Sequence, residues 1–362
     1  MILKERIKRI LYFKLLQIRS LLNNKKNSYN FKLSGKVYIL LPNGAGDVLM
    51  SLSAIRFLFS KYNKKIIFLY CRNEAGTLLE LYYDKNLIKN YLLFDSFENN
   101  DLVIALSGPP PGLITKLISC NCNYHGFVYD LKIRSNITNN KSIDLVEFNH
   151  IRRNNCVVES LFNLKNRLSD LIPPPLINVK KNKLTKMRRN NNIAIYLPQN
   201  KIRKAFPKDK IIFLIGELSK KYEVNLISYE KELFDSEFIN NIKVQIKIWS
   251  NWNDLITLLQ DYDSIITVDS VVYHLCNSLN LNFIALFGWT SSFALKTSNS
   301  KANHIDYSNP ANPCYSGCLN SSRKGERPKC SCLEKGNNSP CSIFNLITVK
   351  EIVEAMNTQF MR

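Results

Sequence analysis

The chain of 362 residues has no run of 18 or more apolar residues, which is the length that a membrane-spanning helix needs. Its first residues also lack the uninterrupted apolar segment and small-residue cleavage site of a signal peptide. Histidines number only four, and no His-x-x-x-His pair is present, so the pattern of a catalytic zinc site is missing. These absences predict a cytoplasmic protein that does not span the membrane and uses no catalytic metal.

Acidic residues are outnumbered, because 29 Asp and Glu stand against 50 Lys and Arg, which gives a net charge of +21. A positive field favours anionic partners such as phosphorylated small molecules, an acidic membrane surface or nucleic acid. Nucleic-acid binding is disfavoured, since it predicts basic residues mixed with exposed aromatics on one face, whereas several motif positions here are acidic or hydroxylic. A compositional bias towards Asn, Lys and Ile is the alternative source of the charge.

Apolar residues recur at helical spacing within residues 1–26, with basic residues between them and Glu5 as the only acid. This pattern predicts a basic amphipathic helix over residues 1–30 that lies on an anionic inner-membrane surface. The alternative is a helix that packs on its own domain and exposes a solvated basic face.

The length suggests two domains, and 45% hydrophobic with 22% charged residues is an ordinary globular balance. Strand and helix patterns alternate along the chain, which predicts parallel sheets with right-handed crossovers. Three prolines at 173–175 and a charged, Asn-rich run mark the boundary. We therefore predict α/β domains over residues 31–178 and 190–345, followed by a C-terminal helix over 346–362.

The predicted strands are 36–41, 66–70, 92–94, 102–106, 193–197, 224–228, 264–268 and 283–287. The predicted helices are 48–62, 208–222, 253–260 and 349–360. Residues 290–340 are predicted to be irregular.

A loop with two glycines separates the first strand from the first helix. Gly44 and Gly46 allow a tight turn and a close approach of a ligand to the backbone. Leu49 occupies the third glycine position of the dinucleotide pattern, so a nicotinamide site fits poorly. Asp47 starts the predicted helix, where the helix dipole favours a carboxylate. It is either an ordinary N-cap or an acid placed to take a proton from a hydroxyl group.

Basic residues follow the first strand of the second domain. Lys201, Arg203 and Lys204 fall within four positions just ahead of a helix. Cations there are suited to holding a diphosphate by charge and by hydrogen bonds. A solvated basic loop is the alternative.

The strand at 264–268 ends in Asp269 and Ser270. These residue types cap helices and leave amide donors facing a ligand beyond the carboxyl end of the strand. His274 follows one turn into the helix and is the one histidine that we expect to be functional, with a buried structural role as the alternative. An ordinary strand-helix-strand unit is the alternative interpretation of the whole segment.

Together and in this order, these segments resemble the heptosyltransferases of lipopolysaccharide synthesis, glycosyltransferase family 9. The resemblance covers residues 36–355 and is carried by residues 39–48 with 54–56, 204–207, 269–275 and 285–288. The chain departs from the family at Val271 and Val272, where the family usually has Gly or Gly-Pro. Gln199 and Asn200 stand where small hydroxyl residues are common, although both can donate hydrogen bonds.

The resemblance implies two Rossmann-like domains facing each other across a cleft, the GT-B architecture. It further implies inverting transfer of a heptose from ADP-heptose to the lipopolysaccharide inner core, without a cofactor or metal. Asp47 would be the general base, and Asn43, Gly44 and Gly46 would form the acceptor-side loop. The donor would contact a larger set of residues in the second domain: Gln199, Asn200, Lys201, Arg203, Lys204, Asp269, Ser270 and His274.

In this set, Lys204 with Arg203 or Lys201 would stabilise the diphosphate as negative charge builds on it. Two alternatives share the architecture. One is a transferase that uses another nucleotide sugar and a cell-envelope glycan acceptor. The other is a non-catalytic family member, because Val271 and Val272 replace a flexible position.

Half of the ten cysteines fall in one segment, at Cys314, Cys318, Cys330, Cys332 and Cys341. Disulfides are disfavoured in the cytoplasm. Four thiolates could bind a structural zinc ion, but the spacings differ from the usual Cys-x2-Cys knuckles. We predict unpaired thiols in a loop near the acceptor cleft, with a metal or redox role as the alternative.

Overall fold

The computed structural model describes residues 35–42, 44–62, 65–98, 100–106, 122–126, 191–198, 204–229, 244–288, 301–307 and 341–361, with isolated residues and short stretches elsewhere. The predicted amphipathic helix at 1–30 lies outside the described residues. Within the described part, no helix is both long and apolar enough to cross a membrane.

The chain divides into two compact units, Met1–Pro173 and Pro174–Arg362. In the first unit, parallel strands form a sheet in the order β3-β2-β1-β4-β5. The strands are β1 Val37–Leu40, β2 Ile66–Tyr70, β3 Ile88–Asn90, β4 Leu102–Ala105 and β5 Asn123–Gly126. The described helices of this unit are α1 Ala45–Tyr62, which joins β1 to β2, and α2 Asn73–Leu79, which joins β2 to β3.

In the second unit, the sheet is also parallel and has the order β11-β10-β9-β6-β7-β8. Its strands are β6 Asn192–Tyr196, β7 Glu223–Tyr229, β8 Gln245–Trp249, β9 Ser264–Val268, β10 Phe283–Phe287 and β11 Ala302–Asp306. Its described helices are α3 Lys208–Leu218, α4 Trp252–Gln260, α5 Val271–Leu279, α6 Ser292–Leu295 and α7 Val349–Phe360.

The central strands are fully buried, as parallel sheets covered on both faces require. Every residue of β1, β4, β9 and β10 is buried. In the second unit, α3 and α7 contribute apolar side chains to one core with the sheet, including Leu214, Leu218, Ile352 and Met356. The continuous apolar runs that predicted these strands are therefore the centre of each sheet.

Numbered from its own first strand, each sheet has the order 3-2-1-4-5, and the second sheet adds a sixth strand beside the fifth. This is the Rossmann order, in which the chain reverses direction across the sheet between strands one and four. The reversal points lie between β1 and β4 and between β6 and β9. Ligands of open parallel sheets bind beyond the carboxyl ends of the strands at such points. The predicted α/β fold with Rossmann-like units is confirmed.

The first helix begins earlier than predicted. It starts at Ala45 rather than Val48, and the Gly44 carbonyl accepts the first helical hydrogen bond from Val48 N at 3.0 Å. Asp47 is consequently the third helical residue and not an N-cap. The two glycines suggested a longer loop, but an acid in the first turn is stabilised by the helix dipole and extends the helix.

Edge elements differ most from the prediction. Residues 91–93 form a 3-10 turn and not a strand, because the Asn90 side chain accepts a hydrogen bond from Leu92 N at 2.9 Å and so competes with a strand ladder. The strand lies just before it, as β3. The region 290–340 was predicted to be irregular, yet it contains β11. Strands β5 and β8 and helix α2 were also missed. All three missed strands lie at or beside a sheet edge and carry polar residues.

Lys210 of α3 forms hydrogen bonds with the backbone of the segment that precedes α7. Lys210 Nζ donates hydrogen bonds to the carbonyls of Phe344, Asn345 and Ile347 at 3.2, 2.9 and 2.7 Å. These carbonyls lie on or just after the 3-10 turn Ser342–Asn345, where the backbone has no further helical donors. The lysine therefore holds the backbone of the segment that carries Phe344.

Candidate functional site

At the reversal point of the first sheet, an acid lies against a glycine. Asp47 is half-buried in the first turn of α1, and a Cβ placed on Gly44 would lie 2.8 Å from Asp47 Oδ2. The carboxylate thus folds over the α-carbon of Gly44, and no other residue type would leave it this position. Gly46 lies inside the first turn of the helix, and Asn43 lies outside the described residues.

Two polar side chains support the start of α1. Ser51 Oγ donates to the carbonyl of Asp47 at 2.8 Å, and Asn154 Nδ2 donates to Ser51 Oγ at 2.8 Å. Both side chains are buried. Sequence reasoning missed them, because a pairing across 103 positions leaves no periodic signal.

At the reversal point of the second sheet, two predicted residues form an ion pair. Lys204 follows β6 and Asp269 follows β9, and these strands are parallel neighbours. Lys204 Nζ lies 2.6 Å from Asp269 Oδ2, with side-chain exposures of 30% and 13%. The structure therefore brings together a cation and an acid that were assigned to the same ligand from separate motifs.

Thr290 is a third member of this cluster, and sequence reasoning did not find it. Its hydroxyl donates to the same Oδ2 atom of Asp269, and the residue is only 9% exposed. Thr290 follows β10, so three adjacent strands, β6, β9 and β10, each supply one member. The available signal was its position just beyond Gly288, at the edge where the neighbouring strands also end.

His274 lies in the second turn of α5 and is 2% exposed. Burial lowers its pKa to about 4, and Lys204 acts in the same direction while Asp269 opposes the shift. The ring is therefore neutral near pH 7. In the described part of the chain, its Nδ1 atom has no hydrogen-bond partner.

Asp269 is held in its ionised form. Burial alone would raise its pKa, but the charge of Lys204, with hydrogen bonds from Lys204 and Thr290, outweighs burial and lowers the pKa. The result is a carboxylate paired to an ammonium group and lying near a neutral imidazole.

Ser270 caps α5, as its sequence position suggested. Its Oγ accepts a long hydrogen bond from Tyr273 N at 3.4 Å and lies 3.1 Å from Thr267 Oγ1. Val271 and Val272, the departures from the family pattern, are the first two helical residues, and Val272 is buried. The two valines thus leave the helix start intact. First-turn amides lack partners inside a helix, so they can serve as donors to an anion.

One aromatic pair supports both donors to Asp269. Phe206, two residues after Lys204, packs edge-to-face on Phe344 with ring centroids 5.7 Å apart. A Cβ on Gly288, two residues before Thr290, would lie 2.8 Å from the Phe344 ring. The Phe344 ring therefore contacts Phe206 and Gly288, each of which lies two residues from one of the two donors.

Four predicted donor-site residues lie outside the described residues: Gln199, Asn200, Lys201 and Arg203. Their roles stay predictions, as do the ligand contacts of Lys204, Asp269, Ser270 and His274.

Of the clustered cysteines the structure describes Cys341, whose side chain is buried in the core of the second unit. Cys341 precedes the 3-10 turn Ser342–Asn345 and is 7% exposed, and the position of the cluster near an acceptor stays a prediction. Cys314, Cys318, Cys330 and Cys332 lie outside the described residues. Among those that are described, no group of three or more His, Cys, Asp or Glu could hold a metal ion.

The sequence model of glycosyltransferase family 9 (heptosyltransferase) matches residues 146–322. That span contains Lys204, Asp269, His274 and Thr290. A comparison of the sequence with curated proteins found no match.

Similar solved structures cover nearly the whole chain. ADP-heptose LPS heptosyltransferase II of E. coli has 16% identity and a TM-score of 0.59, over 90% of this chain and 98% of that one. The family 9 glycosyl transferase of Veillonella parvula has 13% identity and a TM-score of 0.58, over 91% and 97%. TibC of enterotoxigenic E. coli, described as an iron-containing dodecameric glycosyltransferase, has 15% identity and a TM-score of 0.53, over 91% and 77%.

At these identities the structural likeness establishes the fold, and it confirms the predicted architecture of two Rossmann-like domains of the GT-B type. The part of the chain that matches the family model includes the Lys204–Asp269 ion pair. Residues 146–322 match the model of glycosyltransferase family 9, the heptosyltransferase family, and the fold of the chain is that of solved glycosyltransferases.

Proposed function

We propose that this protein is a glycosyltransferase that transfers a heptose from ADP-heptose to the inner core of lipopolysaccharide, with inversion at the anomeric carbon. The family match and the likeness to a heptosyltransferase that is named for this donor and acceptor support the proposal. The observation that carries it is the Lys204–Asp269 ion pair at the reversal point of the second sheet.

The second unit would bind the sugar nucleotide. Lys204 carries three N–H donors, and its bond to Asp269 Oδ2 uses one of them. The other two can reach phosphate oxygens, together with the first-turn amides of α5. As the bond between the anomeric carbon and the diphosphate breaks, negative charge builds on the leaving ADP, and a preorganised cation stabilises it.

The first unit would bind the acceptor, with Asp47 as the general base. Its carboxylate takes the proton of the acceptor hydroxyl while the hydroxyl oxygen attacks the anomeric carbon. The new glycosidic bond forms as the bond to the diphosphate breaks, and ADP leaves with the electron pair. A single displacement of this kind inverts the configuration. The residues Asn43, Gly44 and Gly46 would shape the acceptor side of the loop.

The remaining predicted residues would complete the donor site. Ser270 and His274 would line it from α5, and the segment with Gln199, Asn200, Lys201 and Arg203 would add hydrogen bonds and charge beside Lys204. The lysine and the helix dipole supply the charge neutralisation that this chemistry needs, and no cofactor is part of the proposal.

The direct test uses the purified full chain, ADP-heptose and lipopolysaccharide that ends before the inner-core heptoses. Mass spectrometry should show addition of one heptose in wild type, and NMR of the product should show an inverted anomeric centre. UDP- and GDP-activated sugars should give no product. Transfer from one of those donors but not from ADP-heptose would refute the assigned donor, and retention of configuration would refute the single displacement.

We further propose that the protein acts in the cytoplasm at the anionic inner membrane, attached through residues 1–30. Each basic residue near such a surface contributes about 1 kcal/mol, and salt screens the attraction. Deleting residues 1–30 should abolish co-sedimentation with phosphatidylglycerol vesicles and spare transfer to a soluble acceptor fragment. Continued sedimentation of the shortened protein would contradict the attachment.

A further inference from the structure

We propose that Thr290 is a positioning residue of the donor site, whose hydroxyl fixes the Asp269 carboxylate and, through it, the Lys204 ammonium group. The link to catalysis rests on the proposed function. The link to the position of Lys204 rests on the geometry of the cluster alone.

The first argument is the sharing of one oxygen atom. Asp269 Oδ2 accepts hydrogen bonds from both Lys204 Nζ and the Thr290 hydroxyl. The ammonium group of a lysine lies at the end of a flexible four-carbon stem, so it cannot by itself hold a carboxylate in one orientation. Threonine is short and restricted at χ1, and Thr290 is nearly buried. The threonine is therefore the rigid donor, and the lysine adopts the position that the oriented carboxylate dictates.

The second argument is that the backbone of Thr290 is itself anchored. Gly288 packs against the Phe344 ring so closely that a Cβ would not fit, and Phe344 packs on Phe206 beside Lys204. The same ring thus supports the segments of the lysine and the threonine. A donor held by such support keeps its distance to Asp269 fixed.

The third argument concerns the charges around Asp269. Lys204 faces it from the segment after β6, and Tyr273 and His274 interact with it from α5. Burial raises the pKa of Tyr273 and lowers that of His274, so both are neutral near pH 7. Among the described groups, Lys204 supplies the cation and Thr290 the neutral donor that keep this carboxylate ionised. If the Thr290 hydroxyl is removed, Lys204 is the remaining side-chain donor to Asp269 Oδ2 among the described residues.

Two substitutions separate the hydroxyl from the shape of the side chain. Thr290→Val keeps the branched shape and removes the donor, whereas Thr290→Ser keeps the donor. Thr290→Ala removes the donor without adding a second methyl group, and it replaces the valine variant if that protein does not fold.

The first measurement does not depend on the proposed function. Reductive methylation of the full chain, followed by mass spectrometry, gives the modification rate of Lys204 relative to the exposed Lys221 of the same molecule. We expect the relative rate to rise at least about fivefold in Thr290→Val, because a loosened ammonium spends less time on the carboxylate. It should return to within about twofold of wild type in Thr290→Ser. Equal rates in all variants would overturn the proposal.

The second measurement is a double-mutant cycle on transfer from ADP-heptose. We expect Thr290→Val and Asp269→Asn each to lower kcat by about tenfold or more, and the double variant to be no worse than the poorer single variant, since the residues act through one bond. Thr290→Ser should restore kcat. Additive losses, or a loss confined to KM with kcat unchanged, would contradict positioning. If wild type neither binds ADP nor transfers heptose, the proposed function fails, while the methylation rates still decide the role of Thr290.

Discussion

The two sheets share one topology, and each carries an acid just beyond its reversal point, but the two acids occupy different positions relative to the helix that follows. Asp47 is the third residue of α1 and folds over Gly44. Asp269 precedes the helix cap Ser270 and receives hydrogen bonds from Lys204 and Thr290 on one oxygen.

The two acids therefore have different surroundings, although their sheets share one topology. An acid placed before the cap is close to the residues that follow neighbouring strands, so it can serve as the counter-ion of a cation such as Lys204. An acid in the first helical turn lies instead against the α-carbon of a glycine. Function depends on side chains placed on the fold, and here the placement differs by only a few residues.

The largest expected effect comes from removing the acid of the first unit. Asp47→Asn should lower kcat by about a hundredfold to ten-thousandfold, the range of general base catalysis, with ADP affinity unchanged. Steady-state kinetics and calorimetry measure the two quantities. The exposed Asp95→Asn is the matched control. A kcat close to that of the control would remove Asp47 from the mechanism and with it the contrast between the two acids.

The second unit should lose stability in acid because of His274. Its pKa in the folded protein is about 4, below the ordinary value of about 6.5, so the unfolded chain binds the proton first. Stability should therefore fall as the pH drops from about 6.5 to about 4, by about 3 kcal/mol in total. Asp269, whose pKa is lowered, contributes an additional loss only below about pH 4.

Urea unfolding at several pH values checks this prediction. All three tryptophans lie between Trp249 and Trp289, so their fluorescence reports on the second unit. The variant His274→Gln should show a flatter dependence between pH 6.5 and 4 than wild type. Identical slopes in the two proteins would mean that the histidine is not held neutral by burial.

Breaking the ion pair should act on affinity as well as on rate. Lys204→Ala should weaken ADP binding by about tenfold to a hundredfold, since a hydrogen bond to a charged group contributes about 1.5–3 kcal/mol, and should lower kcat/KM at least as much. The exposed Lys221→Ala is the control. An unchanged dissociation constant for ADP would show that the pair does not face the diphosphate.

The smallest effect sharpens the comparison, because it moves the acid of the first unit without removing it. The side chain of Gly44→Ala would lie 2.8 Å from Asp47 Oδ2, so the carboxylate must rotate away. We expect kcat to fall by about threefold to tenfold at unchanged ADP affinity, as a displaced base is less effective. A loss as large as that of Asp47→Asn would instead indicate that the loop itself has changed shape.

The centre of the fold was predictable, and the edges were not. Strands 66–70, 264–268 and 283–287 and the helix 349–360 have the predicted bounds, because buried parallel strands are continuous apolar runs and α7 begins with a capping box at Thr348. Strands such as β11, with Asn303 and His304, are partly exposed and lack that signal.

The sequence could indicate which residues of the site lie close together where charged residues follow the ends of strands. Lys204 and Asp269 could be placed at one edge of the sheet from sequence, since the α/β pattern brings the ends of their strands together, while their ligand contacts stay predictions. Thr290 and Asn154 could not, because a lone hydroxyl or amide acquires its role only from a partner distant in sequence.

The contacts of the Phe344 ring have a consequence for when this cluster can assemble during synthesis of the chain. The backbone carbonyl of Phe344 accepts a hydrogen bond from Lys210, 134 positions away in sequence, and the ring packs against Phe206 and Gly288. During synthesis, the motifs around Lys204 and Asp269 leave the ribosome well before this ring does. We therefore expect the cluster of Lys204, Asp269 and Thr290 to reach its final spacing only after residue 344 has emerged. A chain truncated before that residue would keep these three residues and lose the ring that supports their segments.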